Sequence, residues 1–234
     1  MVYFIQMFAE VRKMMIKQDP SRPYKLVIAA IIFGVVLIGV QMQTGFLNFF
    51  DTLLIMVVQK LKFGSADTLY TLVSFMASPK LDVIWMLLIA FFLWGSRYKI
   101  PAIFSLALLV GANALAFVVK TIVARPRPML HLKQDTGYSF PSGHVIGTLM
   151  VVSVLWILVI PRLKSGTNRW LLRSLLGIWL VLVMLSRVYL NAHFPTDVIG
   201  AFALGYAWLQ ISEYLYRWLA PQLSHWHIFQ NSSY

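Results

Sequence analysis

SRVYLNAHFPTDVIGA, residues 186–201, joins two apolar runs at 174–190 and 196–215. Each run approaches the roughly 20 residues with which a helix crosses a bilayer. The joint places a cation, an imidazole and a carboxylate, Arg187, His193 and Asp197, within about three helical turns. Runs of the same kind lie at 26–43, 81–95, 101–119 and 145–160. Run 81–95 is short and carries Asp82 at its start, so tilt or burial against neighbours must help it to span. Six runs in 234 residues predict an all-α fold, an integral membrane helical bundle with about six transmembrane helices. The composition agrees: 59% of residues are hydrophobic and 12% charged, and the mean hydropathy is +0.74. Soluble globular domains are far more polar.

No Pro/Ser-rich linker, repeat or low-complexity tract divides the chain, so residues 1–234 are expected to form a single membrane-embedded domain. Segment 44–80 is apolar but interrupted by Asp51, Lys60, Lys62 and Asp67, and reads as two short amphipathic helices at the outer interface. If they crossed the membrane as a pair, the sidedness of everything downstream would be unchanged. Residues 1–24 have neither a basic region ahead of their apolar part nor a small-residue cleavage site. They are expected to form a basic helix and tail on the cytoplasmic surface, and residues 216–234 a cytoplasmic tail.

Orientation follows the positive charge. With the N-terminus inside, the inner segments hold Arg12, Lys13, Lys17, Arg22, Lys25, Arg97, Lys99, Arg162, Lys164, Arg169, Arg173 and Arg217. The outer segments hold Lys60, Lys62, Lys80, Lys120, Arg125, Arg127, Lys133 and Arg187. Both termini are therefore expected in the cytoplasm of a multi-pass cell-membrane protein. The net charge of +12 is distributed at the ends of apolar runs rather than along a basic face, which argues against nucleic acid as a partner. The chain has no cysteine, which excludes disulfides, thiolate nucleophiles and thiolate metal sites.

Counting spans brings three patches to the outer face: KTIVARPRP from Lys120, SFPSGH at 139–144, and the joint 186–201. Lys120, Arg127 and Arg187 taken singly fit snorkelling side chains as well as ligand contacts. Taken together they suit a phosphate, since Arg offers planar paired donors and Lys a mobile point charge. Arg125 and Lys133 are read as headgroup or surface contacts. Ser142 and Gly143 precede a helix whose N-terminal amides favour an anion, with Gly allowing close backbone approach, although an ordinary helix start has the same appearance. His193 and Asp197 are four apart, the spacing that brings side chains together on a helix. A carboxylate on one imidazole nitrogen fixes the tautomer and frees the other nitrogen to attack, which makes His193 a candidate nucleophile and His144 a candidate acid and base. A capped helix start beside an interfacial histidine is the alternative.

Lys120-x6-Arg127-Pro128, Pro141-Ser142-Gly143-His144 and Ser186-Arg187-x5-His193-x3-Asp197 resemble, in type, spacing and order, the three-part signature of the type 2 phosphatidic acid phosphatase superfamily, to which the vanadium haloperoxidases are also related. The resemblance covers roughly residues 115–205. It implies a metal-independent lipid phosphatase without cofactor, in which His193 becomes phosphorylated, Asp197 supports it and His144 is the acid and base. Lys120, Arg127, Ser142, Gly143 and Arg187 would hold the phosphate. Asp197 is the only acidic residue of the three patches, too few for a two-metal carboxylate site.

The expected reaction is hydrolysis of a membrane lipid phosphate or diphosphate at the extracytoplasmic face, with undecaprenyl diphosphate, phosphatidylglycerophosphate and phosphatidate as candidates. A phosphotransferase with the same site, or a non-enzymatic lipid-phosphate binder or transporter, is the alternative. Binding requires the cations alone, whereas displacement requires both histidines. Phe46, Phe49, Phe50, Phe63, Tyr70 and Phe75 are read as interfacial anchors or as the border of a lateral entrance for the lipid tail.

Overall fold

Pro23, Pro79 and Pro195 each stand in the first turn of a helix, where the missing N–H sacrifices no hydrogen bond. The computed structural model describes residues 14–60, 64–131, 135–229 and 232–234. Its helices are α1 (Arg22–Gln41), α2 (Gly45–Gln59), α3 (Ala66–Met76), α4 (Pro79–Gly95), α5 (Lys99–Val123), α6 (Gly143–Val154), α7 (Gly166–Tyr189) and α8 (Pro195–Leu223). α6 runs on through a π turn, Leu155–Val159, and ends in a 3₁₀ turn at Ile160–Arg162. Pro161 stops it there, because a prolyl nitrogen has no proton for the preceding turn. The protein is thus an all-helical membrane protein.

α1, α5, α7 and α6 with its extension to Arg162 are each long and apolar enough to cross a membrane. α3 and α4 meet that test only as a pair, bent by 53° at the break before Pro79, which raises the count to five. Ser78 is extended there, as a residue preceding proline tends to be. The sequence runs give six. The difference is α8, which carries Asp197, Gln210, Glu213 and Arg217 along its apolar length and is not among those helices. The two helices expected within 44–80 form as α2 and α3, but α3 belongs with α4 in the bent unit.

α6 is the central post. Of its apolar window 67% is buried, against 22% for α1 and 28% for α7. Lipid tails are as apolar as leucine, so such helices associate through close packing and interhelical polar contacts. A Cβ on Gly111 would lie 2.2 Å from the Trp208 ring, and one on Gly205 would lie 2.9 Å from a Leu149 methyl. The glycines let α8 approach α5 and α6, and Trp208 Nε1 donates to the Leu108 carbonyl at 2.9 Å. Arg22 at the start of α1 pairs with Glu213 of α8, both buried, and also donates to the Lys17 carbonyl at 3.2 Å.

At the C-terminal end the structure differs from a free tail, while the N-terminal segment is described only in part. Residues 1–13, most of the expected surface helix, lie outside the described residues, and 14–21 approach α1 without forming a helix. Residues 216–223 continue α8, and the remainder is not a free tail. Lys99 Nζ donates to the Ile228 carbonyl at 2.9 Å, the Ile100 amide to Ser232 Oγ at 3.3 Å, and the Ser233 amide to the Arg97 carbonyl at 3.0 Å. The terminal residues are held because they supply two acceptors and one donor to the corner between α4 and α5.

Gly200 connects this packing to the loop ahead of α6. A Cβ there would stand 2.5 Å from the ring of Phe140, which is fully buried and stacks on Phe33 with centroids 6.1 Å apart. Gly200→Ala should therefore cost about 1–3 kcal/mol through overpacking and displace the 139–142 loop. A lower Tm in detergent together with lower turnover is expected. A variant as stable and active as the parent would show that Phe140 has room to move.

Candidate functional site

Four helix ends meet at one end of the bundle, those of α5 and α7 and the starts of α6 and α8. α5 stops at Ala124, whose left-handed backbone (φ 49°, ψ 33°) turns the chain aside while its amide donates to the Lys120 carbonyl at 3.0 Å. Pro126 and Pro128 then keep the backbone out of the helical region. Arg125 and Arg127, two apart on this stretch, reach different targets. The stretch is fastened to the loop before α6 by the Ser139 amide, which donates to the Arg125 carbonyl at 2.8 Å, and by Ser139 Oγ, which donates to the Pro126 carbonyl at 2.9 Å. Just past the end of α7 stands Asn191, also left-handed at φ 54°, and the amides of Ala192 and His193 both turn back to the Arg187 carbonyl, at 3.1 and 3.2 Å. The Ser142 amide reaches the Asp197 carbonyl at 3.4 Å, which joins the starts of α6 and α8.

His193 and Asp197 come together, though not along one helix face. His193 stands ahead of the helix, Phe194 is the N-cap, and Asp197 folds back within the first turn of α8. Asp197 Oδ2 accepts from the Phe194 amide at 2.9 Å and faces His193 Nδ1 at 3.5 Å, long for a hydrogen bond. Asp197 Oδ1 accepts from Arg125 Nη1 at 2.6 Å. On the other side of the ring, His193 Nε2 lies 3.3 Å from Arg127 Nη1. A guanidinium can only donate, so Nε2 is the acceptor and the ring proton belongs on Nδ1, toward Asp197. His193 is fully buried. Burial drives its pKa down to about 4, while Asp197 acts in the opposite direction.

The three expected cations converge, each anchored by the protein. Lys120 Nζ donates to the Tyr138 carbonyl at 2.8 Å. Arg127 donates to the carbonyls of Ala192 at 2.7 Å and of Thr136 and Gly137 at 3.0 Å each. Arg187 donates to Ser74 Oγ and, at 2.9 Å, to Asp135 Oδ1. His144, in the first turn of α6, is half-buried and makes no hydrogen bond among the described residues. Arg187, His193, Arg127 and Lys120 are all near enough to act on it electrostatically. Among the described residues a Cβ on Gly143 would meet only Pro79, at 3.8 Å, so the space beside that backbone is open.

Ser142 Oγ, Arg187 Nε and His193 Nδ1 are buried without a hydrogen-bond partner among the described residues. Each such group costs about 1–3 kcal/mol relative to a satisfied one. An anion with several oxygens would satisfy Ser142 and Arg187 directly.

Arg125 corrects the sequence reading. It is not a headgroup contact: its side chain is 12% exposed, it bridges Asp197 and, at 2.7 Å, Asp51, and it lies 4.0 Å from the centroid of the Phe194 ring. The motif spacing isolates Arg127 and gives Arg125 no role, although the alternation Arg-Pro-Arg-Pro was the available signal. Asp51, Ser74 and Asp135 also escape a motif search because they approach from α2, α3 and the loop before α6. Lys133 and Phe63 lie outside the described residues. Phe46, Phe49 and Phe75 are exposed, whereas Tyr70 packs on Tyr189 with centroids 4.2 Å apart.

The family model of the PAP2 superfamily matches residues 99–221. Phosphatidylglycerophosphatase B of Bacillus subtilis is 37% identical over 90 residues, covering 38% of this chain and 44% of that protein, so the match spans less than half of that relative. Undecaprenyl-diphosphatase of Sulfolobus acidocaldarius is 26% identical over 162 residues, covering 64% of this chain and 71% of that protein. The crystal structure of a transmembrane PAP2 type phosphatidylglycerolphosphate phosphatase from Bacillus subtilis shares the fold, with a TM-score of 0.74 at 22% identity over 87% of this chain and 100% of that one. The matched segment begins at α5, contains the converging cations and both histidines, and exceeds half the chain: the protein belongs to the PAP2 superfamily.

Proposed function

We propose that this chain is a phosphoric ester hydrolase that removes phosphate from a membrane lipid phosphate or diphosphate through a phosphohistidine, without a metal. The observation that carries the reading is the orientation of His193. Its Nε2 lone pair faces Arg127 at 3.3 Å, where a phosphoryl group would be held, and its Nδ1 faces Asp197. Nε2 attacks phosphorus, and Asp197 offsets the positive charge that develops on the ring. Lys120, Arg127, Arg187, Ser142 and the Gly143 backbone hold the phosphoryl oxygens and neutralise charge in the transition state. His144 protonates the departing lipid oxygen, then takes a proton from the water that cleaves the N–P bond. The roles match the family resemblance residue by residue.

Metal independence is supported by the side chains themselves. The phosphate-facing groups are donors and cations, and no three His, Asp or Glu residues form a metal-ligating group among the described residues. With α8 counted as a sixth span and the Lys/Arg-rich segments taken as inner, our reading is that the site faces the extracytoplasmic side and the loop 161–173 and both termini face the cytoplasm. The relatives are named as a phosphatidylglycerophosphatase and an undecaprenyl-diphosphatase. Those two lipids and phosphatidate are the substrate candidates, their tails remaining in the bilayer while the headgroup enters.

Separate losses for the two histidines test the mechanism. His193→Ala should lower turnover by on the order of 10⁴ or more and abolish the acid-labile phosphoenzyme. His144→Ala should lose about 10²–10⁴ on a lipid phosphate but much less on a nitrophenyl phosphate, whose leaving group needs little protonation. Equal relative losses on both substrates would remove His144 from the acid role.

Across a panel of undecaprenyl diphosphate, phosphatidylglycerophosphate and phosphatidate, the long-chain lipids should be turned over more efficiently than their water-soluble analogues, and EDTA should leave the rate unchanged. A preference for soluble esters would refute the lipid assignment, and loss in EDTA restored by Mg²⁺ would refute metal independence.

The ring of His193 must be neutral to attack. Because its pKa is depressed to about 4, the neutral form persists as pH falls through the ordinary imidazole range and is lost only near pH 4. Imidazole ¹⁵N NMR at pH 5.5 should show His193 neutral with the proton on Nδ1. Half-protonation near pH 6.5 would contradict the burial argument.

A further inference from the structure

Asp51 is a buried carboxylate on a helix that the family match does not cover, since α2 lies well before residue 99. It is 2% exposed, and its hydrogen bonds all go to one place. Oδ1 accepts from the Thr196 amide at 2.9 Å, and Oδ2 accepts from Thr196 Oγ1 and from Arg125 Nη2, each at 2.7 Å. Arg125 Nη1 in turn donates to Thr196 Oγ1 at 2.8 Å and to Asp197 Oδ1 at 2.6 Å.

Two structural demands meet here. The first amides of a helix lack partners within it, and the N-cap residue ordinarily supplies a side-chain oxygen. Phe194 occupies the N-cap position of α8 and has no oxygen to offer. Asp197 takes the Phe194 amide and Asp51 takes that of Thr196, so the start of α8 is capped in part from another helix. The second demand is electrostatic. A single guanidinium paired with Asp197 alone would hold that carboxylate as a complete ion pair and compete with His193 for it. With Asp51 on its other nitrogen, Arg125 lies between two carboxylates. The triad keeps a net negative charge beside the imidazole that must become cationic.

We propose that Asp51 is a positioning residue for the reaction, acting through Arg125 and Asp197 to hold the carboxylate that supports His193. α2 thereby completes the site. The inference rests on the phosphohistidine reading above. It names a residue for which the three motifs have no counterpart.

The test compares Asp51→Asn, Asp197→Asn and the double variant D51N/D197N in the full-length protein, with steady-state kinetics on a lipid phosphate and trapping of the phosphoenzyme. D51N should lower kcat about 10–100-fold, the usual scale for a group that orients a functional side chain, with KM within about twofold. The double variant should lose no more than D197N alone, because both changes interrupt one pathway. Thr196→Val, which keeps all three charged groups and removes only the hydroxyl between them, should lower kcat several-fold and be equally non-additive with D197N. It carries the test if D51N does not fold. Parental kcat in D51N and T196V, or additive losses in the doubles, would overturn the proposal. Failure of the phosphohistidine reading is separately visible, as a parental enzyme that traps no phosphoenzyme or a His193→Ala variant that keeps its turnover.

Discussion

The carboxylate of Asp197 is the constraint on which the site depends. Its two oxygens are shared among the Phe194 amide, Arg125 and the face of His193, so one fully buried group closes the helix start, anchors the Arg-Pro-Arg-Pro loop and orients the imidazole. A buried charge left unpaired would cost several kcal/mol, and this one is spared that by charge-assisted hydrogen bonds. The loops that supply the cations are arranged around these bonds. Moving Asp197 would release both the loop and the ring.

The cations are held by neutral oxygens more than by carboxylates. Carbonyls at 136, 137, 138 and 192 take the donors of Lys120 and Arg127, which fixes direction without cancelling charge. Arg187 differs, since Asp135 occupies one of its nitrogens. An anion entering such a site meets donors already aimed, so little reorganisation is required as charge develops.

The helical class and the convergence of the motifs were legible because both follow from local pattern. Apolar run length marks α1, α5, α6 and α7, and span parity brings Lys120, His144 and His193 to one end. Less legible was whatever depends on packing between distant segments. The break before Pro79 is audible in the sequence, but the 53° bend that makes α3 and α4 one unit is not. Asp51 reads as an interruption in an apolar stretch until α2 lies against α8. Arg125 looked peripheral because neither of its carboxylates is near it in sequence. The His193 and Asp197 pair was found by a spacing rule for helices, yet the contact arises from a capping turn that happens to require the same separation.

The left-handed residue that ends α5 gives the first motif its length. Between Lys120 and Arg127 the chain completes its last helical turn, reverses hand at Ala124 and passes one proline. None of these steps is elastic: the helix has a fixed rise, the left-handed turn a single geometry, and proline a locked torsion. The six intervening residues act as a ruler. One residue more or fewer would shift Arg127 by about 3 Å, the advance of one extended residue, which exceeds the tolerance of a hydrogen bond. The spacing in the sequence is a length in the molecule, set by the distance from the end of α5 to the Ala192 carbonyl and the His193 ring that Arg127 reaches.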